Sequence, residues 1–185
     1  MVDDVLADVE KRMRASIEAL KRDLVNIRTG RASSGLVENL QVDYYGAATP
    51  LNQLASITAP EARLLVIAPW DKGSIGAIEK AVQKSDLNLN PSNDGKVVRI
   101  PIPQLTEERR RDLTKLVRQR VEEDRVSIRN IRRDGINDVR EMEHEKMVGT
   151  DDAKRAQERL QAITDRHVQE ADQIGAQKEQ EILTV

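Results

Sequence analysis

Arginine is the residue type whose spacing in this chain is most informative chemically. Residues 109–133 contain ten basic and four acidic side chains, although the whole 185-residue chain has a net charge of −2. At 100° per residue, six basic residues share one face of a helix. We call this set the arginine stripe: Arg111, Lys115, Arg118, Arg125, Arg129 and Arg132. Because guanidinium groups suit phosphate oxygens, the stripe predicts an RNA-facing surface, although charged helix faces are often simply solvated.

Side chains suited to catalysis are scarce. The chain has no cysteine and only two histidines, His144 and His167, and it contains neither a phosphate-binding loop nor a nucleophile elbow. His167 is more simply interpreted as a packed or rim histidine than as a functional base. Asp151 and Asp152 suit the start of a helix better than a metal site. We therefore expect no enzyme activity, no cofactor and no metal.

Aromatic residues are nearly absent, and this limits the kind of RNA contact. Tyr44, Tyr45 and Trp70 are the only three. Proteins that bind single strands stack bases on aromatic side chains, so contacts to the phosphates and sugars of structured RNA are favoured here. All three aromatics lie in residues 31–104, where we expect them to anchor packing.

The same segment divides the chain into two domains. Residues 31–104 hold all six prolines but only 14 of the 62 charged residues. Proline is excluded from helix interiors, so the flanks can form long helices and the middle cannot. We predict a helical domain of residues 1–30 plus 105–185 and an inserted domain of residues 31–104. Hinges are expected near residues 29–32 and 103–105, at Gly30, Arg31, Pro103 and Gln104, although Gly30 fits a helix cap equally well.

The two segments that flank the inserted domain have the apolar spacing of three amphipathic helices. In the first, apolar residues recur in steps of three and four from Leu6 to Ile27, and Gly30 is expected to end it. A second helix follows Pro103 and stops at Gly149, and a third begins at Thr150. Their apolar stripes predict an elongated antiparallel three-helix bundle.

The inserted segment predicts a β/α/β domain, which makes the whole chain α+β. Strands are expected at residues 40–44, 64–67 and 96–100, with a helix at residues 74–84. No apolar run approaches the length of a membrane span, and the N-terminus lacks a signal core. We therefore expect no membrane contact and a cytoplasmic location.

Five segments together resemble the ribosome recycling factor family. They are IRTGRAS at 27–33, DYYG at 43–46, PLNQLA at 50–55, LTEERR at 105–110 and RNIRRD at 129–134. The resemblance implies an L-shaped, tRNA-like monomer with a flexible elbow. It also implies ribosome recycling after termination. The bundle would lie across the large-subunit tRNA sites and contact rRNA. Elongation factor G would hydrolyse GTP while the ribosome is split into subunits.

The same resemblance assigns residues to the rRNA contact. Arg129, Arg132 and Arg133 match the family's arginine-rich second helix, and Arg28 and Arg31 match its first motif. Arg132 is our strongest assignment, whereas Arg111, Lys115, Arg118 and Arg125 rest on helical periodicity alone. The alternative is a coiled-coil adaptor, which the heptad-like apolar spacing would also support and which predicts a homodimer. An enzyme with a pocket in the inserted domain is the least favoured alternative.

Overall fold

The computed structural model describes residues 1–184 and divides them into two compact units. The helical unit comprises Met1–Arg28 and Glu108–Thr184, and the mixed unit comprises Thr29–Glu107. The helices are α1 (Val2–Val25), α2 (Ile75–Lys84), α3 (Glu107–His144) and α4 (Thr150–Leu183). The strands are β1 (Gln41–Tyr44), β2 (Ala47–Pro50), β3 (Ala55–Glu61), β4 (Leu64–Pro69), β5 (Ser92–Asn93) and β6 (Val98–Pro101). The predicted α+β class is confirmed.

Each helix of the helical unit buries one apolar stripe. In α1 the buried residues are spaced by three or four, as the sequence predicted: Leu6, Val9, Met13, Ile17, Leu20 and Leu24. Side-chain bonds fix the helix directions. Arg12 and Ser16 of α1 bond to Asp134 and Asp124 of α3 respectively, so α1 and α3 are antiparallel. No helix within residues 1–184 is long and apolar enough to cross a membrane.

The first helix ends earlier than the sequence predicted. Its C-cap is Asn26, and the N–H of Ile27 donates to the carbonyl of Leu24 at 3.1 Å. Gly30 lies beyond this cap, in the mixed unit, with φ +75°. A Cβ there would lie 2.7 Å from Leu105 Cγ. Gly30 is therefore not the helix cap, and glycine is required instead by the left-handed backbone and the close approach of Leu105.

The mixed unit is built from antiparallel strands. β3, β4, β6 and β5 form a four-stranded sheet in that order, and β1 pairs with β2 in a separate hairpin. Fully buried side chains from β4, β6 and α2 meet in one core, among them Leu65, Ile67, Ile78, Val82 and Ile100. The sequence predicted β1, β4, α2 and β6. It missed β2, β3 and β5, because these strands are short or largely exposed.

Two glycines allow the three long helices to approach closely. A Cβ on Gly135 of α3 would lie 2.7 Å from Val9 Cγ2 of α1, and a Cβ on Gly175 of α4 would lie 2.6 Å from Val121 Cγ2 of α3. Both glycines are buried in helix interiors, where glycine normally costs stability. Close packing of the neighbouring helices accounts for their presence.

The bundle core also contains a polar cluster. Asp124 and His167 are buried, at 7% and 4% exposure. Asp124 accepts a hydrogen bond from the hydroxyl of Ser16, and its Oδ2 has no partner among the described residues. His167 Nδ1 lies 2.8 Å from the carbonyl of Ile163, which can only accept, so Nδ1 carries a proton. Burial raises the pKa of Asp124, against the effects of the Ser16 bond and of the nearby His167.

Replacement of Gly175 by alanine should destabilise the helical unit. Overpacking costs about 1–3 kcal/mol, and the better helix propensity of alanine returns about 1 kcal/mol. We expect a net loss of roughly 0–2 kcal/mol in the free energy of unfolding measured by urea denaturation. Gly76 in α2 is the matched control, because nothing lies within 4 Å of its Cβ position. Gly76→Ala should stabilise by about 0.5–1 kcal/mol, and equal stabilisation by Gly175→Ala would contradict the packing account.

Asp124→Asn should change how stability depends on pH. A raised folded-state pKa means that Asp124 favours folding below its unfolded pKa, and this contribution is lost as pH rises through the folded value. The free energy of unfolding of Asp124→Asn, relative to the original chain, should therefore increase between about pH 4 and pH 7. Ser16→Ala removes the hydrogen bond that stabilises the Asp124 carboxylate. The free energy of unfolding of this variant should therefore fall more steeply with rising pH than that of the original chain. Parallel pH profiles for all three proteins would refute this account.

Candidate nucleic-acid interface

One continuous helix positions the whole arginine stripe. All six stripe residues lie on α3, which runs 38 residues without interruption. Two of the six, Arg125 and Arg132, are half-buried, and the other four are exposed. Arg133, which lies outside the stripe, is also exposed. The buried positions of α3, such as Val117, Val121 and Ile128, lie on a different face of the helix. The sequence prediction that these cations share one helix face is therefore consistent with the structure.

The stripe runs along the seam between α3 and α4. Three stripe residues donate to α4 acceptors: Arg118 Nε to Glu179 Oε1 at 2.7 Å, Arg125 Nε to Asp172 Oδ1 at 2.7 Å, and Arg132 Nη1 to Gln161 Oε1 at 2.9 Å. The partners descend along α4 as the arginines ascend along α3, so these helices are antiparallel. We call these three contacts the seam rungs.

The seam rungs bring acids and cations together in a way that the residue spacing within α3 does not predict. The acids Asp172 and Glu179 of α4 lie directly against the stripe. The reason is that helix rotation in the bundle, which composition does not reveal, turns this acidic face of α4 toward α3. Two cations of the stripe are therefore compensated within the molecule.

Charge compensation divides the stripe into two kinds of arginine. Hydrogen bonds to Glu122 and Asp172 raise the pKa of Arg125, and the bond to Glu179 raises that of Arg118. Arg132, in contrast, bonds to the neutral amide of Gln161, and its Nε has no partner among the described residues. Among residues 1–184, no ion pair neutralises its positive charge. Arg132 is therefore the rung arginine best able to attract an external phosphate.

The remaining predicted residues fall in several places. Arg129 makes a long contact of 3.4 Å with Glu122, which also bonds to Arg125 at 2.8 Å. Lys115 and Arg133 are exposed, and no ion pair to another described residue is seen for either. Arg111 is exposed at the start of the stripe. The structure thus places Arg129, Arg132 and Arg133 together near the middle of α3.

The two remaining arginines lie outside the long helices. Arg28 is exposed and is the last residue of the first segment of the helical unit. Arg31 is exposed in the mixed unit, next to Gly30. Their assignment to an RNA contact stays a prediction.

The predicted hinge residues border a single turn of the mixed unit. The N–H of Ala32 donates to the carbonyl of Ala62 at 2.7 Å, and the N–H of Ile102 donates to the carbonyl of Arg63 at 2.8 Å. Ala62 and Arg63 form the turn between β3 and β4. The incoming and outgoing segments of the mixed unit therefore run side by side, immediately next to Gly30–Arg31 and Pro103–Gln104.

Sequence reasoning missed the residues that face the stripe. Gln161, Asp172 and Glu179 are spaced by 11 and 7 residues, which places them on one face of α4. That spacing is visible in the sequence, but its pairing with the stripe requires the relative rotation of two helices. Within residues 1–184, no group of three or more histidine, cysteine, aspartate or glutamate side chains could hold a metal ion.

Sequence and structure comparisons both match this chain to ribosome recycling factors. The family model described as Ribosome recycling factor matches residues 20–183. Ribosome-recycling factors of Roseiflexus sp. strain RS-1 and Chloroflexus aurantiacus are each 56% identical over 185 residues, which covers all of both chains. The solution structure of a ribosome recycling factor is similar with a TM-score of 0.72 and 41% identity, over 100% of this chain and 98% of that one.

A second solved structure contains the T. thermophilus ribosome recycling factor and E. coli elongation factor G bound to the E. coli post-termination complex. One of its chains is similar with a TM-score of 0.63 and 48% identity, over 99% of each chain. The fold of this chain, long helices together with a small antiparallel sheet, is the α+β fold of these translation factors. The chain belongs to the ribosome recycling factor family.

Removal of one seam acid should strengthen binding of polyanions. Asp172→Asn leaves Arg125 without its α4 carboxylate, so the protein should elute from heparin at higher salt. Glu170→Gln is the matched control, because it makes the same change in net charge on α4 but faces Lys21 of α1 at 3.9 Å. The loss of either exposed pair should cost at most about 1 kcal/mol of stability. Identical elution of the two variants would show that net charge, not the seam, governs binding.

Proposed function

We propose that this chain splits post-termination ribosomes into subunits, acting with elongation factor G and with GTP hydrolysed by that partner. Membership of the ribosome recycling factor family supports this activity. A similar protein is bound with elongation factor G to a post-termination complex in a solved structure. The carrying observation within the molecule is Arg132, which keeps an uncompensated charge on the seam face of α3.

The first proposed step is attachment to large-subunit rRNA. Arg129, Arg132 and Arg133 lie within one helical turn of each other on α3, where their guanidinium groups can contact successive phosphates. Arg118 and Arg125 are held by Glu179 and Asp172, so they contribute only if the phosphate replaces the carboxylate. The strength of attachment should therefore depend most on Arg132. Arg28 and Arg31 would extend the contact beyond the stripe.

The second proposed step is mechanical. The two segments that connect the mixed unit to the helical unit both hydrogen-bond to the turn between β3 and β4. Because they are adjacent, a backbone rotation near Gly30 and Pro103 can occur at both connections about nearly the same axis. Elongation factor G would displace the mixed unit about this axis while the helical unit, anchored to rRNA, transmits force to an inter-subunit contact.

No residue of this chain needs a catalytic role in that scheme. Binding free energy and the GTP cycle of elongation factor G supply the work, and the arginines supply only attachment and orientation. The monomeric state and the cytoplasmic location expected from the sequence remain predictions.

Light scattering of purified post-termination ribosomes tests the proposal directly. Addition of this protein with elongation factor G and GTP should lower the scattering as 70S ribosomes separate into subunits. Omission of any one component, or replacement of GTP by a non-hydrolysable analogue, should abolish the change. A protein that binds ribosomes but never splits them under complete conditions would contradict the proposed activity.

Arg132→Ala should weaken ribosome binding about tenfold at physiological salt, because it removes a charge-assisted contact. The slope of log affinity against log salt should also fall in magnitude by about one. Cosedimentation with 70S ribosomes at several salt concentrations measures both quantities.

Arg120→Ala is the matched control for this experiment. Arg120 is an exposed arginine on the same helix, lies off the stripe, and forms an ion pair with Glu123 at 3.2 Å. Its removal should change affinity and salt slope much less. Equal losses for Arg120→Ala and Arg132→Ala would show that α3 binds through diffuse charge, without a specific anchor.

A further inference from the structure

Two of the three aromatic residues of the mixed unit are exposed, although packing was expected for all three. Tyr45 is 82% exposed and Trp70 is 69% exposed. The sequence-based expectation that they anchor the core is therefore wrong for both, and only Tyr44 packs against the core. Large aromatic side chains gain no hydrophobic stabilisation when left in water, so burial does not account for either residue.

Tyr45 is also held in an unfavourable backbone conformation. It has φ +49°, and Gly46 follows with φ +85°, so the two form the tight turn between β1 and β2. Two positive φ values in a two-residue hairpin define a type I′ turn, in which asparagine, aspartate or glycine is favoured at the first position. A bulky tyrosine there is strained, and its exposed ring gains little packing in return. Strain at an exposed residue points to a role outside folding.

The tyrosine rings are fixed in place by Asp71. The hydroxyl of Tyr44 donates to Asp71 Oδ2 at 3.0 Å, and that of Tyr45 donates more weakly at 3.4 Å. The N–H of Gly73 donates to Asp71 Oδ1 at 2.9 Å. The two rings meet edge to face with centroids 4.6 Å apart. The bond from Gly73, followed by that from Tyr44, lowers the pKa of Asp71, so the carboxylate is charged at neutral pH.

We propose that Tyr45 and Asp71 form a docking site for a partner protein that presents an arginine side chain. Guanidinium groups stack on tyrosine and tryptophan faces, and aromatic residues with arginine dominate the energetics of protein interfaces. A carboxylate has about four acceptor positions, of which three are occupied here. The remaining position can accept a hydrogen bond from the same guanidinium group.

The charge of this region favours protein over nucleic acid as the occupant. Asp71 places a negative charge beside the exposed ring of Tyr45, where it would repel a phosphate backbone. Residues 29–107 contain seven basic and eight acidic residues, so the mixed unit lacks the positive excess found on α3. RNA that stacked on Tyr45 would lose the electrostatic attraction on which such binding usually depends. The proposal rests on the function proposed above, because the partner protein is expected to be part of the ribosomal complex that the arginine stripe binds.

Tyr45→Asn separates a docking role from a structural one. Asparagine suits the type I′ turn, so the thermal midpoint should be unchanged or higher. Splitting of post-termination ribosomes with elongation factor G should nevertheless slow at least threefold. A lower thermal midpoint for Tyr45→Asn would show that the tyrosine is kept for folding. Unchanged splitting by Tyr45→Asn would overturn the proposal.

Crosslinking identifies the occupant. Tyr45 is replaced by benzoylphenylalanine, and the protein is irradiated on purified 70S ribosomes that carry a short mRNA, deacylated tRNA and elongation factor G. We expect a crosslink to a protein peptide with an arginine beside the attachment point, and its loss when Asp71→Asn is added. Crosslinks to rRNA only, to a second copy of this chain, or to nothing would overturn the proposal.

The same preparation separates this proposal from the proposed function. If the protein cosediments with ribosomes in an Arg132-dependent manner but position 45 finds no protein, only the docking proposal fails. If the protein does not bind ribosomes at all, the proposed function fails, and the docking proposal fails with it.

Discussion

Competition for the guanidinium groups of α3 is the interaction on which the proposed binding surface of the helical unit depends. The same face that could bind phosphate also holds α3 against α4, through Glu179, Asp172 and Gln161. Ion pairs at an exposed seam contribute little to stability, so phosphate can replace them at small cost. The contacts to α4 therefore hold the arginine side chains in place in the free protein, and phosphate groups can still replace these contacts. Arg132, which meets an amide, differs from its neighbours because its charge is left available.

This competition is possible because the helices pack closely behind the seam. Gly135 and Gly175 admit the side chains of Val9 and Val121 where any larger residue would collide. The buried Asp124 lies on the same helix as the stripe but bonds inward, to Ser16 of α1. The rotation of α3 is thus set by contacts other than the arginines. Because core contacts set the position of α3, the stripe arginines can exchange α4 carboxylates for phosphates without a change of fold.

Much of this arrangement could be predicted from the sequence, for physical reasons that also explain the omissions. The three-to-four spacing of apolar residues in α1 and of cations in α3 is a property of one helix, so it is readable from one segment. The seam rungs depend on how two helices are rotated against each other, which no single segment encodes. Gly135, Gly175 and Asp124 occupy core positions that a hydrophobic pattern skips, since their burial depends on neighbours. Tyr45 was misread as a packing residue because its type suggests burial.

Chemical protection of individual arginines on the ribosome can show whether α3 carries a specific anchor for rRNA. Phenylglyoxal modifies accessible guanidinium groups, and mass spectrometry can compare each arginine of the free protein with the same residue on purified 70S ribosomes. We expect strong protection of Arg129, Arg132 and Arg133, with little change at Arg120 on the same helix. Uniform protection of all four, or continued modification of Arg132 in the bound protein, would contradict an anchor on the seam face of α3.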